Sequence, residues 1–283
     1  MILSTAPNKI FFLGPEGTFT DKARSVFSEY FDLKDAEKVP VCSISKGFDL
    51  LEKNDNSVLI LPVENSVEGM VRETIDNLIS LENQDVKIIA EHVISVEQNL
   101  VGFAKDLSEI KTIISHPQAI AQCRKYLFKN FQETNLQYSS STASAISSLS
   151  KDSPDTAAIG SSYCAQIYNV PILAENINDK KNNQTRFIMV GEQTVQKQPN
   201  SKTAITFTTS NTPGALNKIL SIFEQYNINM TQIESRPSKT CLGDYTFFIE
   251  IDGHFQDDMI LKALFEAIKN TKTFKHLGSY FNI

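Results

Sequence analysis

LPVENSVEGM (residues 61–70) sets a short apolar run around Pro62 and stops it at Glu64, Asn65 and Ser66. Just beyond, Val71, Ile75, Leu78 and Ile79 repeat at i, i+4, i+7 and i+8, the spacing of one helical face. A buried strand that ends in polar side chains before a helix is the junction of an α/β fold. Open α/β sheets bind ligands beyond the carboxyl ends of their strands. There, helix starts present free N–H groups and about half a positive charge each. Glu64, Asn65 and Ser66 therefore stand where a ligand would lie.

The same junction recurs along the chain. Short β-like runs are read at Lys9 to Leu13, Lys38 to Val41, Ser57 to Pro62, Val86 to Phe103 (two strands), Thr112 to Ser115, Leu136 to Ser139, Ala157 to Ile159, Pro171 to Ala174 and Arg186 to Val190. Ala23, Val26, Phe27 and Tyr30 mark another helical face. Between strand and helix stand Gly14 to Thr20, Glu64 to Ser66, Ser115 to Gln118, Ser141 with Thr142, and Gly160 to Ser162. One such junction is only a well-capped helix. Five in one region point to a ligand crevice.

These runs predict an α/β region over 8–192 made of two lobes, one of 8–95 with 171–192 and the other of 96–170. The stretch QTVQKQPNSK (193–202) loses apolar periodicity and reads as a linker. From 203 to 281 the order is strand, helix, strand, strand, helix, strand, with a turn expected near Leu242 to Asp244. That is the ferredoxin-like βαββαβ unit. A domain this small has little room for an internal site, so ligands are expected between copies.

Composition narrows the partners. The 283 residues carry a net charge of −6, with 22 Lys but only five Arg (Arg24, Arg72, Arg124, Arg186, Arg236), which argues against a nucleic-acid surface. No apolar stretch approaches the ~18 residues of a membrane span, and no basic region precedes the apolar run at Ile10 to Leu13. A cytoplasmic protein is expected. The four Cys and four His show no ligand spacing, so neither a metal nor a disulfide framework is expected.

Single motifs leave alternatives open. GPEGTFT (14–20) is neither a Walker A loop nor G-x-G-x-x-G, and it doubles as a capped helix start at Thr18 to Asp21. NDKKNNQTRF (178–187) is an exposed polar loop, or else it aims Arg186 to fork onto a carboxylate. No G-x-S-x-G elbow is present, and Cys123 falls on the apolar side of the helix after His116 and Pro117.

Together these stretches resemble the prephenate dehydratase family. The likeness rests on GPEGTFT, on PVENSVEGMVRETIDNL (62–78), on SHPQAIAQC (115–123), on AAIGS (157–161), and on Asn183, Thr185, Arg186 and Phe187 preceded by Asp179. Residues 203–281 resemble that family's ACT regulatory domain, through Gly214, Ala215, Leu216 and Leu220 and through Glu234, Ser235, Arg236 and Pro237.

The resemblance implies a bilobal catalytic domain like type II periplasmic binding proteins, and conversion of prephenate to phenylpyruvate with no cofactor or metal. It also implies a homodimer or homotetramer inhibited by L-phenylalanine at paired ACT domains. With a strand already beginning at residue 9, a fused chorismate mutase is not expected.

Matched residue by residue, Thr185 would assist the leaving hydroxyl, with Glu64 as a proton source, and Asn65 and Gln118 would orient the substrate. Gly17, Thr18, Ser66, Ser115, His116, Ser161, Arg186 and Phe187 would bind it. Asn211, Gly214, Ala215, Leu216 and Glu234 to Pro237 would frame the phenylalanine site. Arogenate dehydratases share this scaffold. A pure solute-binding protein is the rival without chemistry, and an amino-acid-sensing regulator would need a basic helix-turn-helix that the sequence does not show.

Overall fold

The computed structural model describes residues 3–238 and 245–283, so the turn expected at Leu242 to Asp244 lies outside the described residues. The first lobe opens with β1 (Lys9–Leu13), α1 (Phe19–Tyr30), β2 (Glu37–Val41), α2 (Ile44–Lys53), β3 (Ser57–Asn65), the short β4 (Gly69–Met70) and α3 (Arg72–Ser80). β5 (Lys87–Ser95) stays in that lobe and β6 (Asn99–Gly102) enters the second. The second lobe continues with β7 (Thr112–Ser115), α4 (Pro117–Gln122), α5 (Arg124–Asn130), β8 (Asn135–Tyr138), α6 (Thr142–Ser147), β9 (Thr156–Gly160), α7 (Ser162–Ile167) and β10 (Ile172–Ala174). β11 (Gln184–Gly191) returns to the first lobe.

Alternation along β3 explains its unbroken apolar run. Leu59 and Leu61 enter the core with α2 and α3, while Val58 and Ile60 enter the opposite core with Phe12, Phe27 and Phe187. A strand covered on both faces reads as continuously apolar. Each such side chain, fully buried, contributes ~1.5–3 kcal/mol. α1 starts where Thr18 Oγ1 accepts the Asp21 N–H at 3.2 Å, an N-cap that fixes the end of GPEGTFT.

The second lobe is a separate five-stranded sheet of order β10-β6-β9-β7-β8. Two sheets rather than one leave the expected cleft in place. One boundary differs from expectation. Residues 172–174 do not return to the first lobe but pair antiparallel with β6 as β10, so the return comes only at β11. An edge strand of three residues carries no periodicity that names its partner.

The two crossings between lobes run side by side. Asn178 joins them, its Oδ1 accepting the Gln98 N–H at 3.0 Å and its Nδ2 donating to Val96 O at 3.3 Å.

The C-terminal region comprises β12 (Lys202–Thr208), α8 (Ala215–Gln225), β13 (Met230–Pro237), β14 (Tyr245–Asp252), α9 (Asp258–Ile268) and β15 (Thr273–Asn282). Its strands lie in the order β13-β14-β12-β15, with both helices packed through Ile219, Phe223 and Ala263 on Ile205, Phe207, Ile249 and Ile251. This is the expected βαββαβ unit.

Its other face is a finding. Ala204, Phe248, Leu277 and Tyr280 share a core with Leu61, Ile75 and Ile188 of the first lobe. The sheets also fuse, because Phe281 and Asn282 of β15 pair in parallel with Ala90 and Glu91 of β5. Close approach at this seam requires Gly278 (φ 141°), where a Cβ would stand 2.4 Å from Ile88 O. The stretch read as a linker is laid down on the protein. Thr194 exchanges backbone and side-chain hydrogen bonds with Ser4, and Gln193 Nε2 donates to Asn56 Oδ1 at 3.1 Å. Among the described residues no helix is long and apolar enough to cross a membrane.

Candidate active site

A cleft of about 480 Å³ opens between the lobes. The first lobe supplies Thr18, Phe19 and Thr20 at the start of α1 and Pro62 and Asn65 at the end of β3. The second supplies His116 and Gln118 at the start of α4 and Ser141 and Thr142 at the start of α6. β11 adds Thr185 and Phe187. Among the described lining residues none is Lys or Arg, and Glu68 is the one carboxylate.

The register of β3 and β11 determines what points inward. Thr185 stands opposite Asn65, Arg186 opposite Glu64 and Phe187 opposite Pro62, with Val63 as the extra residue of a bulge. Successive strand residues face opposite sides, and a bulge re-aims a side chain. Thr185, Phe187, Asn65 and Pro62 thus all reach the cleft.

The Asn65 amide is fully committed. Its Oδ1 accepts the N–H groups of Val67 (2.9 Å) and Glu68 (3.0 Å), which fixes the orientation of the amide. Its Nδ2 donates to Thr185 Oγ1 and to Asn183 Oδ1, both at 2.8 Å. Thr185 Oγ1 is therefore an acceptor toward Asn65 and keeps its own O–H as a donor. His116 Nδ1 accepts the Gln118 N–H at 3.3 Å, so the neutral ring carries its proton on Nε2.

The same alternation corrects two expectations. Arg186 and Glu64 face away from the cleft. Arg186 Nε donates to Glu64 Oε2 (3.1 Å), and its Nη1 donates to Glu91 Oε2 and to Glu250 Oε1 (2.9 Å each). Burial disfavours the guanidinium charge, but Glu250, Tyr280 and Glu91 together hold its pKa above the ordinary value. It has no free fork for a substrate, and Glu64 as its partner is not an acid in the cleft.

Three further expected binding residues serve the scaffold. Ser115 Oγ is buried and donates to Ile159 O (2.7 Å), Ser161 Oγ caps α7 through the Cys164 N–H (3.1 Å), and Ser66 Oγ accepts from Gln184 N (2.9 Å). Gly17 lies at the contact between lobes, at φ 83° with a would-be Cβ 2.8 Å from Cys164 Sγ. Beside it Tyr163 O–H donates to Asp21 Oδ2 at 3.3 Å.

Other lining residues escaped the sequence reading. Thr20 and Glu68 stand inside quoted motifs, and Ser141 with Thr142 were read only as a helix junction. Gln122 likewise stands inside the quoted SHPQAIAQC, whereas Cys42 and Gln98 carry no local signal at all. Burial pushes the Cys123 and Cys164 thiols up to about 12, which makes them unreactive. Cys42 is exposed and Cys241 lies outside the described residues. Among the described residues no group of His, Cys, Asp and Glu is placed to hold a metal ion.

In the C-terminal region a cavity of about 170 Å³ is lined by Asn211, Ala215 and Leu216, which the resemblance names, and by Thr209, Tyr245 and Phe247. Gly214 opens α8 next to it. Glu234, Ser235, Arg236 and Pro237 do not line it. They lie on the edge strand β13, where Ser235 is opposite Phe247 and Pro237 opposite Tyr245. Arg236 instead forks onto Asp76 of α3 at 2.7 and 2.8 Å.

The prephenate dehydratase profile matches residues 10–195, the stretch that builds both lobes and the cleft. The chain belongs to the prephenate dehydratase family. The ACT domain profile matches 203–268. A prephenate dehydratase of Methanocaldococcus jannaschii is 41% identical over 94% of this chain and 95% of its own length. A bifunctional chorismate mutase/prephenate dehydratase of Aquifex aeolicus is 36% identical over 96% of this chain and 73% of its own. The crystal structure of the Arthrobacter aurescens family member, solved in complex with L-Phe, superposes with a TM-score of 0.84 at 32% identity, covering 96% of this chain and 89% of that one.

Proposed function

We propose that this chain converts prephenate to phenylpyruvate, carbon dioxide and water in the cleft between its lobes, and that L-phenylalanine held by the ACT region inhibits it. Prephenate is a cyclohexadiene with two carboxylates and a ring hydroxyl. When the ring carboxylate leaves as CO2, its bonding pair moves into the ring, the carbon–oxygen bond opposite breaks, and the ring becomes aromatic. The departing hydroxide must be stabilised as it forms, and it leaves as water once protonated.

The observation that carries this reading is the Asn65–Thr185 hydrogen bond, which turns Thr185 into an oriented O–H donor at the cleft wall. Preorganised donors aimed at a developing charge are worth about 10²- to 10³-fold each in turnover. The carboxylates meet N–H groups at the helix starts after Thr18, His116 and Ser141. This suits a cleft without lysine or arginine in an acidic chain. Gln118 and Phe187 would orient the ring.

No step of this reaction needs a metal or an electron sink. The chain would act in the cytoplasm as a homodimer or homotetramer, with the exposed edge β13 bringing Glu234 to Pro237 of one copy toward the cavity of another.

Thr185→Ser keeps the donor and is expected to retain kcat within about 10-fold, whereas Thr185→Ala loses about 10²- to 10³-fold with a smaller change in KM. Phenylpyruvate formation measures both. Equal activity of Thr185→Ala and the parent would refute the hydroxyl role, and a higher kcat/KM for arogenate would reassign the substrate.

A further inference from the structure

The residues behind the cleft wall are as ordered as those in it. Arg186 sits on the reverse of Thr185, and Glu64 on the reverse of Asn65, in two successive pairs of the β3–β11 ladder. Around them the ten-stranded sheet contributes one side chain from each of six consecutive strands: Glu250 on β14, Lys202 on β12, Tyr280 on β15, Glu91 on β5, Arg186 on β11 and Glu64 on β3. Lys202 Nζ donates to Glu91 Oε1 and Tyr280 O–H to Glu250 Oε1, both at 2.7 Å. Glu91 and Glu250 are each only 2% exposed.

Two features set this cluster apart from a simple fastening. Three carboxylates share two cations, so it is not self-neutralising. One nitrogen, Arg186 Nη1, is divided at 2.9 Å between a carboxylate of the catalytic region, Glu91, and one of the ACT region, Glu250. A displacement of β14 therefore changes the balance at Arg186. β14 also reaches the ACT cavity, through Tyr245 and Phe247, with Glu250 three residues further along the same strand.

We propose that Arg186 is a positioning residue through which the ACT region sets the placement of Thr185, with Glu250 and Lys202 as the regulatory half of the link. The inference rests on the dehydratase reading above. An effector seated against Phe247 shifts β14, Nη1 is re-divided between Glu250 and Glu91, and the β3–β11 pair carries the change one residue on, to the Asn65–Thr185 hydrogen bond. Coupling of this kind modulates activity between two states of a packed element.

The test is Glu250→Gln, which keeps the oxygen that Tyr280 donates to and removes the charge. Because a buried carboxylate is changed, Lys202→Gln, at the partly exposed rim (28%), is measured beside it. Prephenate turnover is followed with and without L-phenylalanine, with L-phenylalanine binding measured by calorimetry and folding by thermal melts.

Glu250→Gln is expected to lower kcat about 5- to 30-fold with KM within about 2-fold, and Lys202→Gln to lower it about 3-fold. In both, L-phenylalanine still binds, yet at saturation it inhibits by less than half the factor seen in the parent. If Glu250→Gln does not fold, Lys202→Gln decides alone. Folded variants with parental kcat, or a lowered kcat with inhibition intact, overturn the proposal and leave the cluster as a fastening. A parent protein that forms no phenylpyruvate overturns the dehydratase reading, and this inference with it.

Discussion

At the scale of the residue, the cleft turns on which atoms already have partners. Asn65 uses its oxygen on two backbone N–H groups and its nitrogen on Thr185 and Asn183, so it acts as a fixed bracket. Asn65→Asp would keep the acceptor and delete the donor that defines the polarity of Thr185 Oγ1. The expected result is a kcat about 10²-fold lower with prephenate affinity less affected, read from steady-state phenylpyruvate formation. Motif reading reached Asn65 and Thr185 together with Glu64 and Arg186, because a motif carries no facing. The strand period of two separates the pairs, and the ion-pair partners of Glu64 and Arg186 lie 64 to 122 residues away in sequence. Cys42 and Gln98 were illegible for the same reason, since they line the cleft only through tertiary placement.

At the scale of the element, α3 links the two halves of the protein. Its approach through Met70 and Val71 lines the cleft, Asp76 is forked by Arg236 of β13, and Lys275 of β15 donates to the C-terminal carbonyls of Leu78 and Leu81. A lysine cannot reproduce the two parallel bonds of the guanidinium. Arg236→Lys is therefore expected to lower Tm by about 2–4 °C, a loss of about 1 kcal/mol, in a thermal melt. The helix itself was legible, since Ile75 and Leu78 fall on one face and both are buried. Its grip by the ACT region was not, because Arg236 stands in a motif that the resemblance assigned to the effector. Short edge elements were equally opaque, as β10 shows by staying in the second lobe.

At the scale of the whole molecule, the lobes, the cleft and the βαββαβ unit were legible from periodicity and junction chemistry. The fusion of the two sheets was not, because the pairing of Phe281 and Asn282 with β5 depends on packing across the seam. That seam carries a pH dependence. Burial, then Lys87 and His254, pushes the His276 imidazole down to about 4 from 6.5. The unfolded chain binds this proton between those two values and the folded one does not, so stability falls as pH drops from 6.5 to 4. The loss is on the order of 3 kcal/mol, and His276→Gln should flatten that part of the stability–pH curve in denaturant titrations. The most direct measurement of the whole account is phenylpyruvate formation from prephenate by the purified protein as L-phenylalanine is added. The account predicts turnover at about 1–10³ s⁻¹ that falls with added L-phenylalanine. Absence of phenylpyruvate from a folded protein would contradict it.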